Sequence, residues 1–274
     1  MSVPPLVACA VAAALYALGG RGRHRWAREA CFYAGVAITF VVLEPPFDGW
    51  ADTSFALHMT QHVLLISFAA PLLVLGRPWP RMWLWFPAAA RHPVARGLAR
   101  GRWSAPLRAA TRTLTKPPVA VCVLGATLGL WHVPYLYDAA TGNEGIHLLE
   151  HTSFMAAALL YWGPLLEAPP VRARIDHLRR AGWFAAGAVP GWILAIVLAE
   201  SANALYPFYA TLHHRAFGLS PLGDQQVAAG VMWVPGSLVN LALFIVYIYH
   251  WLEPTPADTA PAVEPRPTKE ISWT

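Results

Sequence analysis

The sequence predicts an all-α integral membrane bundle of seven transmembrane helices, with the amino terminus outside and the carboxyl terminus cytoplasmic. Three observations carry this expectation. Of 274 residues, 56% are hydrophobic and 13% charged, and the mean hydropathy is +0.41; soluble domains carry roughly a quarter charged residues. Seven apolar stretches reach the roughly 17–25 residues that a hydrocarbon core requires, at about 3–20, 30–46, 55–76, 117–136, 146–168, 183–206 and 227–252. Basic residues also alternate between connections. Segments 21–28, 77–116 and 169–182 hold four, nine and four Lys or Arg, 17 of the 20 in the chain, whereas 44–54, 137–145 and 207–226 hold one, Arg215. The excess of Lys and Arg places the first set in the cytoplasm. The net charge of +5 therefore reflects topology and attraction to an anionic inner leaflet of membrane lipids, and requires no nucleic-acid partner.

Taken in order, the first stretch has no Lys or Arg before it and the cluster RGRHR after it, the reverse of a secretory signal, so it is expected to remain as a span. The long inner connection opens with RPWPRMWLWF, whose Trp content suits an interfacial or re-entrant segment. Its Arg-spaced remainder, RHPVARGLARGRWSAPLRAATRTLTK, reads either as a surface helix or as a solvated basic loop. Residues 1–252 form the membrane domain. Residues 253–274, EPTPADTAPAVEPRPTKEISWT, are Pro-rich without apolar periodicity and are expected to be a disordered cytoplasmic tail. Cys9, Cys31 and Cys122 sit singly on three spans, which gives neither a CxxC motif nor a disulfide framework.

The chemistry concentrates in histidine. His58 and His62 stand four apart in LHMTQHVLL, His132 closes the fourth stretch in LWHVPYLY, and His147 and His151 open the fifth in IHLLEHTSFM. Alternating span directions bring these five to one shallow layer below the outer surface, at 1.5 Å per helical residue. His213 and His214 lie in the last outer connection; His24, His92, His177 and His250 fall on the cytoplasmic side. Residues i and i+4 share a helix face, so His58/His62 and His147/His151 are two bidentate-capable pairs, with Met155 one turn further along the second stripe.

Imidazoles in an apolar setting cost free energy unless something binds them, and neutral imidazole is the commonest protein metal ligand. Met59 and Met155, soft thioethers beside imidazoles, tilt the choice of metal to copper as Cu(I). The rival is zinc: HLLEH matches the HxxEH order of inverzincin hydrolases, with Glu150 as general base. Glu150 reads equally as a carboxylate that orients a neighbouring His. Glu200, in LAESANALYP, is an acid in a span and reads either as a proton or orienting group for the site or as a structural hydrogen-bond partner. Asp224 opens the last span, where Asp is a favoured helix N-cap, with metal ligation as the alternative. A permease would need polar residues continuing through the inner halves of the spans, which are almost wholly apolar.

HMTQHVLL, LWHVPYLYDAA, HLLEHTSFMAAALLYW and DQQVAAGVMWVPGSL, in this order and spacing, resemble the multi-spanning CtaG-type cytochrome c oxidase assembly factors across roughly residues 50–252. The resemblance implies a multi-pass protein of the bacterial plasma (inner) membrane that is required to make active haem–copper oxidase by supplying it with copper. His58, His62, His132, His147, His151 and Asp224 fall on the family's motifs. The implied partners are subunits of a terminal cytochrome c oxidase and other copper chaperones. The paired-cysteine motif of the single-span copper chaperones that share the name is missing, so transfer by a dithiol relay is excluded.

Overall fold

A computed structural model describes residues 3–20, 25–169, 175–213 and 216–253. Residues 254–274 of the expected tail and His214 lie outside these described residues. Among the described residues the secondary structure is helical throughout, with no strand.

Helix α1, Val3–Leu18, packs on α2, Trp26–Leu43, and a short helix α3, Phe47–Ala51, turns the chain into α4. Helix α4, Phe55–Leu75, is the centre of the molecule: 67% of its apolar window is buried, against 17% in α2. Its start is fixed by Ser54, whose hydroxyl oxygen accepts from the Leu57 N–H. A π-helical turn, Leu64–Ala69, interrupts α4 just below the His58/His62 pair. Pro71 follows at once; it has no N–H, and its ring crowds the carbonyl four residues back, so the wider turn accommodates it. The Trp162 indole donates to the Ile66 carbonyl at 2.8 Å and satisfies an acceptor in that turn.

The basic segment after α4 is helical, not a loop. It forms α5, Pro78–Trp83, α6, Ala88–Arg100, and α7, Ala105–Leu114, none of which has a buried residue. α7 meets α8, Pro117–Trp131, at a bend of 80°. The expected continuous stretch 117–136 is broken: α8 stops at Trp131, His132 and Val133 turn, and Pro134 opens α9, Pro134–Thr141. Proline supplies no amide hydrogen to carry α8 onward but suits a first helical position. α9 thereby occupies most of what the sequence suggests is an outer connection.

α10, Glu144–Leu165, is capped by Asn143, which accepts from the Gly145 and Ile146 amides. Its buried residues Glu150, His151, Phe154, Ala157, Ala158, Tyr161 and Trp162 form one stripe at helical spacing, and that stripe faces α4 and α8. α11, His177–Glu200, then runs alongside α13, Pro221–Leu252, with a short α12, Pro207–Ala210, between them. Gly187 of α11 admits the Tyr161 ring; a Cβ there would lie 2.0 Å from the Tyr161 hydroxyl. That hydroxyl donates to Asn240 Oδ1 at 2.6 Å, and Gln225 donates to the Leu198 carbonyl at 2.9 Å, polar ties of the kind that hold helices together in lipid.

Among the described residues, four helices are long and apolar enough to cross a membrane, namely α2, α4, α11 and α13, and α7 with α8 makes a fifth when the bent pair is counted as one. This is fewer than the seven expected. α1, with 16 residues, falls short in length. α10 is different: its 22 residues extend about 33 Å, and Glu144, His147, Glu150 and His151 lower its apolarity. Ile193, Ile196 and Val197 of α11 and Leu238, Leu241 and Ile245 of α13 are exposed, an outward apolar surface suited to lipid.

Candidate metal centre

The two i,i+4 pairs meet. α4 presents His58 and His62, α10 presents His147, Glu150 and His151, and the ligand atoms form two overlapping groups. Those of His58, His62 and His151 lie within 4.8 Å of one another, as do those of His58, His147 and Glu150. A metal about 2.0–2.2 Å from each ligand holds them within about 4 Å of one another, so small side-chain shifts would close either group on an ion. His58 Nε2 and His62 Nε2 are 3.0 Å apart. Glu150 brings one carboxylate oxygen to 3.9 Å from His58 Nε2 and the other to 3.7 Å from His62 Nε2. His58, Glu150 and His62 are essentially fully buried.

The tautomer of His58 follows from a residue that gave no signal in the sequence. The Tyr209 hydroxyl donates to the Ala51 carbonyl at 2.9 Å and lies 2.8 Å from His58 Nδ1. Its proton is thus committed to Ala51, so Nδ1–H of His58 donates to it and the Nε2 lone pair faces the cluster. This is the arrangement in which a second contact orients a ligating imidazole. Tyr209 comes from α12, some 150 positions away in sequence, and no spacing rule could have joined it to His58. Tyr137 and Tyr206 pack beside it and against Phe55 with their rings tilted to one another, forming an aromatic cover.

Several buried polar atoms in the cluster have no hydrogen-bond partner among the described residues: both oxygens of Glu150, His62 Nδ1, His147 Nε2 and His151 Nε2. An unsatisfied buried polar atom costs on the order of 1–3 kcal/mol. Their concentration at one point, from two helices, matches the donor set of a cation site.

His132 is set slightly apart. It caps α8, its Nδ1 lies 2.8 Å from the Leu128 carbonyl, and its Nε2 lies 3.3 Å from Met59 Sδ. The remaining candidates divide. Met155 is partly buried in the apolar packing around α8 and α10. Glu200 is exposed at the last position of α11, because the helix ends there and not at the expected residue 206. His213 is exposed. Asp224 caps a helix other than its own: Ser220 takes the N-cap of α13, and Asp224 accepts from Ser54 and from the Phe55 and Ala56 amides at the start of α4.

No curated protein and no solved structure matches the chain. The family model described as cytochrome c oxidase caa3 assembly factor (Caa3_CtaG) matches residues 10–253, which adds α2 and most of α1 to the region where the motif resemblance was read. With nearly its whole length matched, helices and histidine cluster included, this chain belongs to the cytochrome c oxidase caa3 assembly factor family.

Proposed function

We propose that the protein holds copper, as Cu(I), in the cluster of His58, His62, His147, Glu150 and His151, and releases it to a cytochrome c oxidase under assembly. The observation that carries this reading is the convergence of unpartnered imidazole and carboxylate atoms from α4 and α10, in a family of oxidase assembly factors. Imidazole ligands bind and release more readily than a buried thiolate cage. Copper follows from the chemistry of the set, since imidazoles with an adjoining thioether suit Cu(I). The partners on this reading are the oxidase subunit that receives the metal and a copper chaperone that supplies it.

The reading sets the chain in a bacterial plasma membrane with seven crossings. α1 and α10 complete the count as marginal spans sheltered by their neighbours, and Lys/Arg-rich connections face the cytoplasm. The cluster then lies in the outer half, where an oxidase copper centre could be served.

A zinc hydrolase built on HLLEH is the rival. None of His147, Glu150 and His151 lines the cavity of about 60 Å³ that His62 borders, and the loss or retention of function in Glu150→Gln separates the two readings.

The test is elemental analysis of the full chain purified from membranes without added metal, beside a His58→Ala/His62→Ala double variant. Copper in the parent and its loss from the variant is expected. Equal copper in both removes the assignment.

A further inference from the structure

Below the cluster, a cavity of about 60 Å³ runs along α4 from Met59 to Ser67 and is lined on its other sides by residues of α8, α10, α11 and α13. Two thioether- or imidazole-bearing residues of α4, Met59 and His62, border it, and His132 and Met232 border it from α8 and α13. None of its lining residues is acidic.

His132 Nδ1–H donates to the Leu128 carbonyl, leaving a lone pair on Nε2. Met59 Sδ, 3.3 Å away, has lone pairs and no hydrogen to give. Two buried acceptors thus face each other at contact distance; Met59 is 0% exposed and His132 7%. A proton between them would make His132 an imidazolium beside a cavity without a carboxylate. A soft cation resolves the same contact without that cost. With metal–nitrogen and metal–sulfur bonds of about 2.0 and 2.3 Å, a 3.3 Å separation corresponds to an N–metal–S angle of roughly 100°. His132 is also fixed at its backbone, where its carbonyl accepts from the Tyr206 hydroxyl at 3.1 Å.

We propose that His132 Nε2 and Met59 Sδ form a second metal site, specific for a soft monovalent cation, with His62 as the residue shared with the His/Glu cluster and Met232 as a further thioether on the same cavity. The inference rests on the copper reading above and adds to it. The His/Glu cluster contains a carboxylate and accepts divalent or monovalent ions, whereas this neutral N/S pair discriminates for Cu(I) against Zn(II). Because His62 borders both, an ion can pass between the two sites by exchanging one ligand at a time. Such a pair gives the protein a position that selects the metal and another that holds it.

The experiment uses the full chain in detergent, with Cys9, Cys31 and Cys122 replaced by Ala so that no thiolate contributes sulfur. The chain is loaded anaerobically with Cu(I), and X-ray absorption at the copper edge reads the ligands. A sulfur shell near about 2.3 Å is expected beside nitrogen. Met59→Leu, a near-isosteric change, should remove that shell and lower retained Cu(I) by one equivalent per chain, with the Zn(II) content of separately loaded protein unchanged. His132→Gln should do the same. Cu(I) bound by nitrogen and oxygen alone in the parent overturns the second site and leaves the copper reading standing. A sulfur shell that persists undiminished in a Met59→Leu/Met232→Leu double variant also overturns it. A parent that retains no Cu(I) overturns both.

Discussion

Asp224, in the first turn of α13, accepts a hydrogen bond of 2.7 Å from the backbone amide of Phe55, the first residue of α4. It also accepts from Ala56 at 3.0 Å and from the Ser54 hydroxyl at 2.7 Å. One buried carboxylate thus satisfies amides that a helix start leaves without partners, and it does so across an interface. His58 is one turn further on, so α13 sets the height at which α4 delivers its ligands.

Asp224→Ala should leave these donors unsatisfied and destabilise the bundle by about 2–4 kcal/mol, the scale of a buried charge-assisted cap. Asp224→Asn, which keeps one acceptor oxygen, should lose less. Thermal unfolding of the detergent-solubilised variants checks this. Equal midpoints for parent and Ala variant would show that the cap contributes nothing.

Tyr209→Phe removes the acceptor of His58 Nδ1–H while keeping the ring that packs on Phe55. The His58 imidazole should become free to turn or change tautomer, and Cu(I) affinity should fall by about 10–100-fold. Competition with a chromophoric Cu(I) chelator measures it. An unchanged constant would exclude an orienting role.

Glu150→Gln separates handover from hydrolysis. Under handover, the amide weakens metal affinity by about 10–100-fold, and oxidase assembly should recover when copper is supplied. Under hydrolysis, activity should vanish with the metal still bound. Copper content and oxidase activity in the same cells distinguish the outcomes.

His147→Ala and His151→Ala should each lower oxidase activity per haem in cells grown with scarce copper. Added copper should restore part of it by mass action. Their effects should be less than additive in the double variant, because both act on one ion. A loss that ignores copper at every concentration, with the protein present and folded, would count for catalysis or scaffolding.

A reporter inserted near Gly142 should be active outside the membrane, and one fused after Thr274 inside. The opposite pattern would reverse the side on which the cluster lies.

The sequence by itself determined the helical class, because apolar stretches of membrane length can satisfy their backbone only as helices when strands have no barrel to close. It also determined the His58/His62 and His147/His151 pairs, since i,i+4 spacing fixes a shared face whatever the neighbours are. Pattern alone overestimated the continuity of the fourth stretch, where Pro134 breaks α8 from α9 and leaves His132 at a helix end. Hydropathy also treated α10 like its neighbours, although its polar face is tolerable only through burial against α4 and α8. The tertiary structure decided which faces meet. Packing of α10 on α4 brought Glu150 between the two pairs, and the return of α12 placed Tyr209 on His58. The start of α13 turned Asp224 to α4, and the register of α4 against α8 set Met59 before His132. Each is a contact between residues tens to more than a hundred positions apart. Local spacing carries no information about such contacts, because they depend on how whole helices are rotated and shifted to fill the interior.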